Sequence, residues 1–295
     1  MPSRRETEGD DCFRWVERKV EINSCCWWVS DTTVYSAKLG IQEKQFMNLL
    51  TWNINHRASR KRIPPSMVEA IASLSPDIII LTEYVPGPSH MSFMEELSSH
   101  GLNHIVMSQE TPKENHVFIA SRNALTRGAI EGPPIAPSVP SNMLHVYLES
   151  QEMNILGLRV PDYSKQTPLR HKCWDWLEAT ANKIKEQPFV ILGDFNADPS
   201  YPPSKCGNRI GNLVTAGWQL AAPPSGASYL AVANGEGKRL DHAFVSKHFI
   251  VRNAQYVWEN NSFIFGGKSS DAMSDHAALL VEIERHSSNE ALETE

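Results

Sequence analysis

FVILGDFN, residues 189–196, is an apolar run that stops abruptly on polar side chains. Phe189 to Leu192 has the length of a strand and no polar face, the pattern of a strand buried on both sides. Asp194 and Asn196 then stand at a strand's carboxyl end. Asp and Asn in a turn also bond their own backbone, so these residues alone decide nothing about function. The same construction recurs along the chain. MNLLTWNI (47–54) ends on Asn53, with Asn55 just beyond it, and DIIIL (77–81) is followed by Glu83.

Outward from these runs, strand and helix signatures interleave. After Pro64-Pro65, the apolar positions Met67, Ala70, Ile71 and Leu74 fall at helical spacing, and Phe93, Met94 and Leu97 mark a shorter helix. Trp174, Leu177, Ala181 and Ile184 form another helical face, entered through Pro168. Strand signatures cover 103–107, 116–120, 143–148, 154–160, 239–245, 250–257 and 277–283. EGPPIAPSVP (131–140) is a loop rather than a domain linker, because strand-like pieces of similar composition flank it. Sheets packed face to face with helices outside, an α/β layered sandwich, accommodate such a chain in one domain over 47–284. Residues 1–46 show neither a helical stripe nor strand alternation and read as a poorly structured N-terminal extension, with Met47 a candidate for the biological start. The acidic tail, 285–295, is expected to be disordered.

Composition narrows the class. At 41% hydrophobic and 21% charged residues, the chain has ordinary globular usage, which excludes a disordered or fibrous protein. A net charge of −6 means that a nucleic-acid partner requires a local basic face. Cys12, Cys25, Cys26, Cys173 and Cys206 are odd in number and have no zinc-site spacing, which points to a reducing compartment. The apolar stretch Cys25 to Val29 is too short to span a bilayer and lacks the flanks of a signal peptide, so the expectation is a cytoplasmic protein without membrane insertion. Nothing marks an obligate protein partner.

Two further motifs put polar groups at strand edges. Ser274-Asp275-His276 precedes AALLVEI, and Arg239-Leu240-Asp241 opens HAFVS. A single histidine at such a place is ordinarily a surface or core residue. Beside Asp241 it means more, since a carboxylate on one imidazole nitrogen fixes the tautomer and stabilises the charged ring. Glu83 alone would be an ordinary solvated strand end.

Together WNIN (52–55), LTE (81–83), GDFN (193–196), RLDHAFVS (239–246) and SDH (274–276) resemble the endonuclease/exonuclease/phosphatase superfamily. The motifs occur in the family's order, and their spelling is closest to the exonuclease III-type, abasic-site endonuclease-like members. The resemblance implies a DNase I-like four-layered α/β sandwich, two packed mainly antiparallel sheets flanked by helices, with the site at one end of the sheets. It further implies a Mg²⁺- or Mn²⁺-dependent phosphodiesterase. Glu83 is then the principal metal ligand, Asp275 completes the metal environment, and Asn53 contacts the metal shell or the scissile phosphate. Asp194 orients or deprotonates the attacking water, and Asn196 hydrogen-bonds the phosphate oxygens. His276, oriented by Asp241, stabilises the phosphorane-like transition state.

These roles make chemical sense. Hydrolysis adds charge to an already anionic phosphodiester, so a cation and positioned donors lower the barrier, and oxygen ligands suit a hard ion. Two positions depart from the family pattern. Asn55 stands where many abasic-site endonucleases have aspartate, which lowers the negative charge available to a cation. Arg159 stands where nuclease branches usually place tyrosine or histidine, and an arginine there clamps a phosphate oxygen rather than donating a proton. Both are taken as substrate-binding residues, as is Asn196. Asp162, Tyr163 and Lys165 follow in a loop of the kind that selects substrates.

DNA is the first substrate expectation. Arg57, Arg60, Lys61 and Arg62 offer phosphate contacts, and Trp218 and Tyr229 are candidates for base stacking, although aromatic residues near strands are more often core. The alternatives are a lipid or small phosphorylated substrate, which suits the acidic balance, and a non-catalytic binding homologue.

Overall fold

A computed structural model describes residues 19–22, 25–28, 46–56, 63–108, 114–135, 142–162, 167–231 and 234–286. The chain divides into two compact units, Met1–Gln45 and Phe46–Glu295. In the first, strands Lys19–Ile22 and Cys25–Trp28 pair antiparallel, with Lys19 opposite Trp28.

The second unit is built on two six-stranded sheets. The strands of these two sheets in chain order are β1 (Phe46–Asn53), β2 (Ile78–Tyr84), β3 (His104–Met107), β4 (His116–Ser121), β5 (Leu125–Arg127), β6 (Met143–Leu148), β7 (Met153–Arg159), β8 (Phe189–Asp194), β9 (Gln219–Leu220), β10 (Asp241–Val245), β11 (Phe249–Val257) and β12 (Ala278–Arg285). The helices are α1 (Ser66–Ser73), α2 (His90–Ser99), α3 (Thr167–Ile184) and α4 (Gly207–Thr215). One sheet has the order β11-β12-β1-β2-β4-β3 and the other β9-β10-β8-β7-β6-β5. In each, the only parallel neighbours are the central pair, β1 with β2 and β7 with β8. The sheets are mainly antiparallel, as the family resemblance implies.

Successive residues of the central strands go to opposite faces, and both faces are covered. Leu49 of β1 and Val190 and Leu192 of β8 enter the core between the sheets, together with Ile80, Ile119, Val146 and Ile155. Leu50 and Trp52 face outward against Met67 and Ile71 of α1 and Phe93 and Leu97 of α2. Ile191 and Phe244 face outward against Trp174, Leu177 and Ala181 of α3 and Ile210 and Leu213 of α4. Each such side chain contributes about 1.5–3 kcal/mol on burial, which is why the central strands read as unbroken apolar runs. The result is helix, sheet, sheet, helix.

The structure adds elements that the sequence hides. α4 begins on Gly207 and contains Gly211, poor helix formers, and only Ile210 and Leu213 of its non-glycine side chains are buried. β9 is two residues long. Trp218 is buried among Phe244, Leu213 and Ile210 in the core under α3 and α4, so it is not a base-stacking residue. β12 runs to Arg285, within the segment expected as tail, and residues 287–295 lie outside the described residues. Residues 131–135 form a loop, as expected, while 136–141 lie outside the described residues. Among the described residues no helix is long and apolar enough to cross a membrane.

Candidate active site

The parallel central pairs bring four strand ends to one edge. Asn53 lies level with Thr82, the residue before Glu83, and Asp194 lies level with both Arg159 and Asp241 across its two ladders. The two sheets are then tied together at this edge by polar contacts. Asn53 Nδ2 donates to Asp194 Oδ2 at 2.9 Å. Arg159 donates to Glu83 Oε1 from Nε at 2.8 Å and lies at 2.7 Å through Nη2. His276 Nδ1 meets Asp241 Oδ2 at 2.8 Å.

Local backbone aims these groups. Between Leu81 and Tyr84 the pairing of β2 with β4 shifts register, and Glu83 has φ 53°. A bulge with a left-handed residue turns a side chain out of the strand's alternation. For a glutamate that conformation is strained by roughly 1–3 kcal/mol. Asn55 (φ 51°) and Asn196 (φ 48°) are also left-handed, a conformation that asparagine tolerates. His276 is set by backbone contacts: Ser274 Oγ donates to Asn53 O at 2.6 Å and accepts from His276 N–H at 3.2 Å, and Trp52 Nε1 donates to His276 O at 2.9 Å.

The groups open on a cleft of ≈ 510 Å³ whose walls include Glu83, Arg159, Asn196, Tyr229, Asp275 and His276. Asn53, Asp194 and Asp241 lie behind this surface, and Asp194 is 1% exposed. Asp194 Oδ1 accepts from Asn196 N–H at 2.9 Å, and Oδ2 accepts from Asn196 Nδ2 at 3.0 Å. Asn196 Nδ2 also donates to Val160 O at 2.9 Å, so both amide hydrogens are committed. Its free capacity is the acceptor Oδ1, whereas the sequence suggests a donor to phosphate. Asn55 acts through its backbone, donating N–H to Asn53 Oδ1 at 2.9 Å, and its side chain is not part of the cleft wall.

The electrostatics are polarised. Burial raises the Glu83 carboxyl, but a hydrogen bond from His56 and the Arg159 charge outweigh it and hold the group at about 2. Burial and the neighbouring Asp241 charge push Asp194 above the usual carboxylate range, against the pull of His276 and Arg159. Burial lowers the His276 imidazole, yet the Asp241 charge and hydrogen bond prevail and raise it to about 9. The stabilisation from the His276–Asp241 pair is then complete below the unfolded value of about 6.5 and is lost as pH rises through about 9. An NMR titration of the His276 ring should show it protonated at pH 7. In Asp241→Asn its midpoint should fall by more than about one unit, because loss of the charge leaves burial in control. An unmoved midpoint would disconnect the two side chains.

The oxygen donors at this edge, the Glu83 and Asp275 carboxylates and the Asn53 amide, are of the kind a hard cation takes. Among the described residues no three His, Cys, Asp or Glu side chains form a ready cage. Mg²⁺ fits this donor set, since it keeps several waters and needs only one or two carboxylates besides substrate phosphates. An ion on Glu83 shares it with Arg159 and with His56, whose Nε2 lies 3.0 Å from Oε2.

His56 is a site residue that the sequence reading missed. Its place directly after WNIN, at the end of a buried strand, is the signal that was there to find. Tyr229, a candidate for base stacking, instead tilts against the His276 ring at 5.0 Å between centroids. Arg57, Arg60, Lys61, Arg62, Tyr163 and Lys165 lie outside the described residues.

Comparison with known proteins gives the family and the fold. The family model described as Endonuclease/Exonuclease/phosphatase family matches residues 50–276. No curated protein sequence matches the chain significantly. Among solved structures, an endonuclease/exonuclease/phosphatase from Beutenbergia cavernae superposes with a TM-score of 0.61 at 17% identity, covering 82% of this chain and 72% of that one. An AP endonuclease from Archaeoglobus fulgidus gives 0.61 at 14% identity, with coverages of 80% and 98%. A 3′ phosphatase from Neisseria bound to product DNA hairpin gives 0.60 at 18% identity, with the same coverages.

Proposed function

The chain belongs to the endonuclease/exonuclease/phosphatase family, and from that premise we propose that it is a divalent-metal-dependent hydrolase of phosphodiester bonds in DNA. The observation that carries the reading is the convergence of an imidazolium and a guanidinium on one cleft from two different sheets, with the Asp194 carboxylate directly behind its wall. That combination suits charge growing on a phosphorus centre. The two similar solved structures named for their action on AP sites or bound to product DNA support the choice of substrate.

His276, held by Asp241 through Nδ1, turns Nε2–H to the phosphate oxygens, where its charge offsets the charge that develops there. Arg159 spends Nε and Nη2 on Glu83, and Nη1 remains for a substrate oxygen. Asp194 holds proton-accepting capacity, and Asn196 Oδ1 beside it orients the attacking water. Glu83, Asp275 and Asn53 would hold Mg²⁺ or Mn²⁺, which supplies further positive charge to the phosphate when bound.

The test is a substrate panel of abasic-site duplex, plain single and double strands, sphingomyelin and an inositol phosphate, each with Mg²⁺ or Mn²⁺ and with EDTA. Metal-dependent cleavage confined to DNA is the expected result. Turnover confined to sphingomyelin or the inositol phosphate would move the protein to that substrate, as its acidic balance favours. In the same assay Arg159→Ala should lose roughly 10²- to 10³-fold in kcat/KM, the scale of removing one preorganised charge from a developing oxyanion. An unchanged rate would take Arg159 out of the site.

A further inference from the structure

The cleft extends past the groups assigned so far. Beyond Arg159 its wall is made by Thr167 and Arg170, from the first turn of α3, and by Tyr201, Ser204 and Lys205 from the segment after β8. None of these belongs to the motifs that carry the chemistry. We infer that this wall is a second anion-binding subsite, formed by Arg170, Lys205 and Tyr201, that takes a second phosphate of the substrate. The inference rests on the phosphodiesterase reading above and names what that substrate must carry.

Two observations point to a ligand. The Arg170 side chain is only 9% exposed, and its Nε–H is buried without a hydrogen-bond partner. Its Nη2 pairs with Asp162, which is itself half exposed at the cleft wall, so the guanidinium is held while one donor stays unmet. Unmet buried donors are rare because they are costly, and this one marks a guanidinium at the cleft wall whose protein partners do not use all of its donors. The second observation is Lys205. It makes no ion pair among the described residues and sits over the Tyr201 ring at 5.3 Å, with Lys238 over the same ring at 5.3 Å. Lys238 is neutralised by Glu236, whereas the Lys205 charge is left to the cleft. A cation resting on an aromatic ring keeps its charge and loses some of its freedom, which prepares it for an anion.

The local balance favours the same ligand. Glu83 is matched by Arg159 and Asp162 by Arg170, and Asp275, the remaining acid of the wall, forms no ion pair with Lys205 among the described residues. A substrate with one phosphate uses the His276 and Arg159 end alone. A second phosphate reaches the Lys205 and Arg170 end as well. That phosphate has two sources with the same chemistry: the next backbone phosphate of a strand, or the second phosphate of a small bisphosphate.

The test compares thymidine dinucleotides with and without a terminal phosphate. With wild-type protein the phosphorylated member should have a kcat/KM roughly 10- to 100-fold higher, the scale of one or two charge-assisted hydrogen bonds. In Lys205→Gln, at an exposed position, this ratio should collapse toward one, and Arg170→Gln should act in the same direction. Because the readout is a ratio, a general loss of activity or folded fraction cancels. Equal rates for the two dinucleotides in wild type, or an undiminished ratio in Lys205→Gln, would overturn the subsite. Calorimetric binding of the same pair separates the two readings: preferential, Lys205-dependent binding without turnover would keep the subsite and remove the hydrolysis. An arm with a longer single strand and an arm with a nucleoside 3′,5′-bisphosphate identify the source as whichever loses affinity on Lys205→Gln.

Discussion

Asp194→Ala should lower kcat by roughly 10³-fold or more while the fold survives, the range expected when a general acid–base group acting with its neighbours is removed. The carboxylate is the hub of the site: it accepts from Asn53 across the sheets and from both the backbone and side chain of Asn196. Burial and the Asp241 charge keep it a better proton acceptor than an ordinary aspartate. Alanine removes the acceptor and also releases Asn196, so the groups that orient water fail together. The folded state loses hydrogen bonds but also sheds a buried charge that burial disfavours, and these two effects oppose each other. Circular dichroism with steady-state kinetics on the best substrate of the panel reads both. A variant that keeps more than about one-tenth of the wild-type rate would place the proton acceptor elsewhere.

Gly193→Ala should be the most damaging single substitution to the fold. Gly193 has φ +148°, and a Cβ built on it would stand 1.8 Å from the Leu158 carbonyl oxygen. That oxygen belongs to the backbone of β7, the parallel neighbour of β8, so no side-chain rotation relieves the clash. The strands must separate at the point where Arg159 and Asp194 are brought level. A loss of about 3–5 kcal/mol is the expected scale for such a backbone collision in a core. At about 2–4 °C per kcal/mol for a domain approaching this size, the melting temperature should fall by about 6–20 °C. Thermal unfolding by near-UV circular dichroism measures it, and a shift of only a degree or two would refute the close approach of the two strands.

Much of the fold is legible in the sequence for one physical reason. With helices on the outer faces and a shared core between the sheets, the central strands have no solvent face, so β1, β2 and β8 appear as unbroken apolar runs. A polar residue ending such a run is then conspicuous, which is how Asn53, Glu83 and Asp194 stand out. Elements without that contrast are hidden: α4 carries two glycines and a thin apolar stripe, and β9 is held by its ladder to β10 rather than by its own composition. Within the site, residue types are legible and directions are not. Nothing in LTE announces the bulge that turns Glu83 toward Arg159, and nothing in GDFN tells that Asn196 spends both amide hydrogens behind the cleft. His56 and Arg170 escape because their roles come from distant partners, Glu83 for one and a wall assembled from the start of α3 and the segment after β8 for the other.

The contacts that assemble the site cross from one sheet to the other, and that has a mechanical consequence. Neither half of the sandwich holds a working set of groups, so the catalytic constellation exists only while the two halves are in register. A slip of the seam by a fraction of a side chain parts Arg159 from Glu83 and His276 from Asp241 before any strand has frayed. Turnover is then a gauge of alignment along the interior seam, and it fails earlier than any probe of secondary structure.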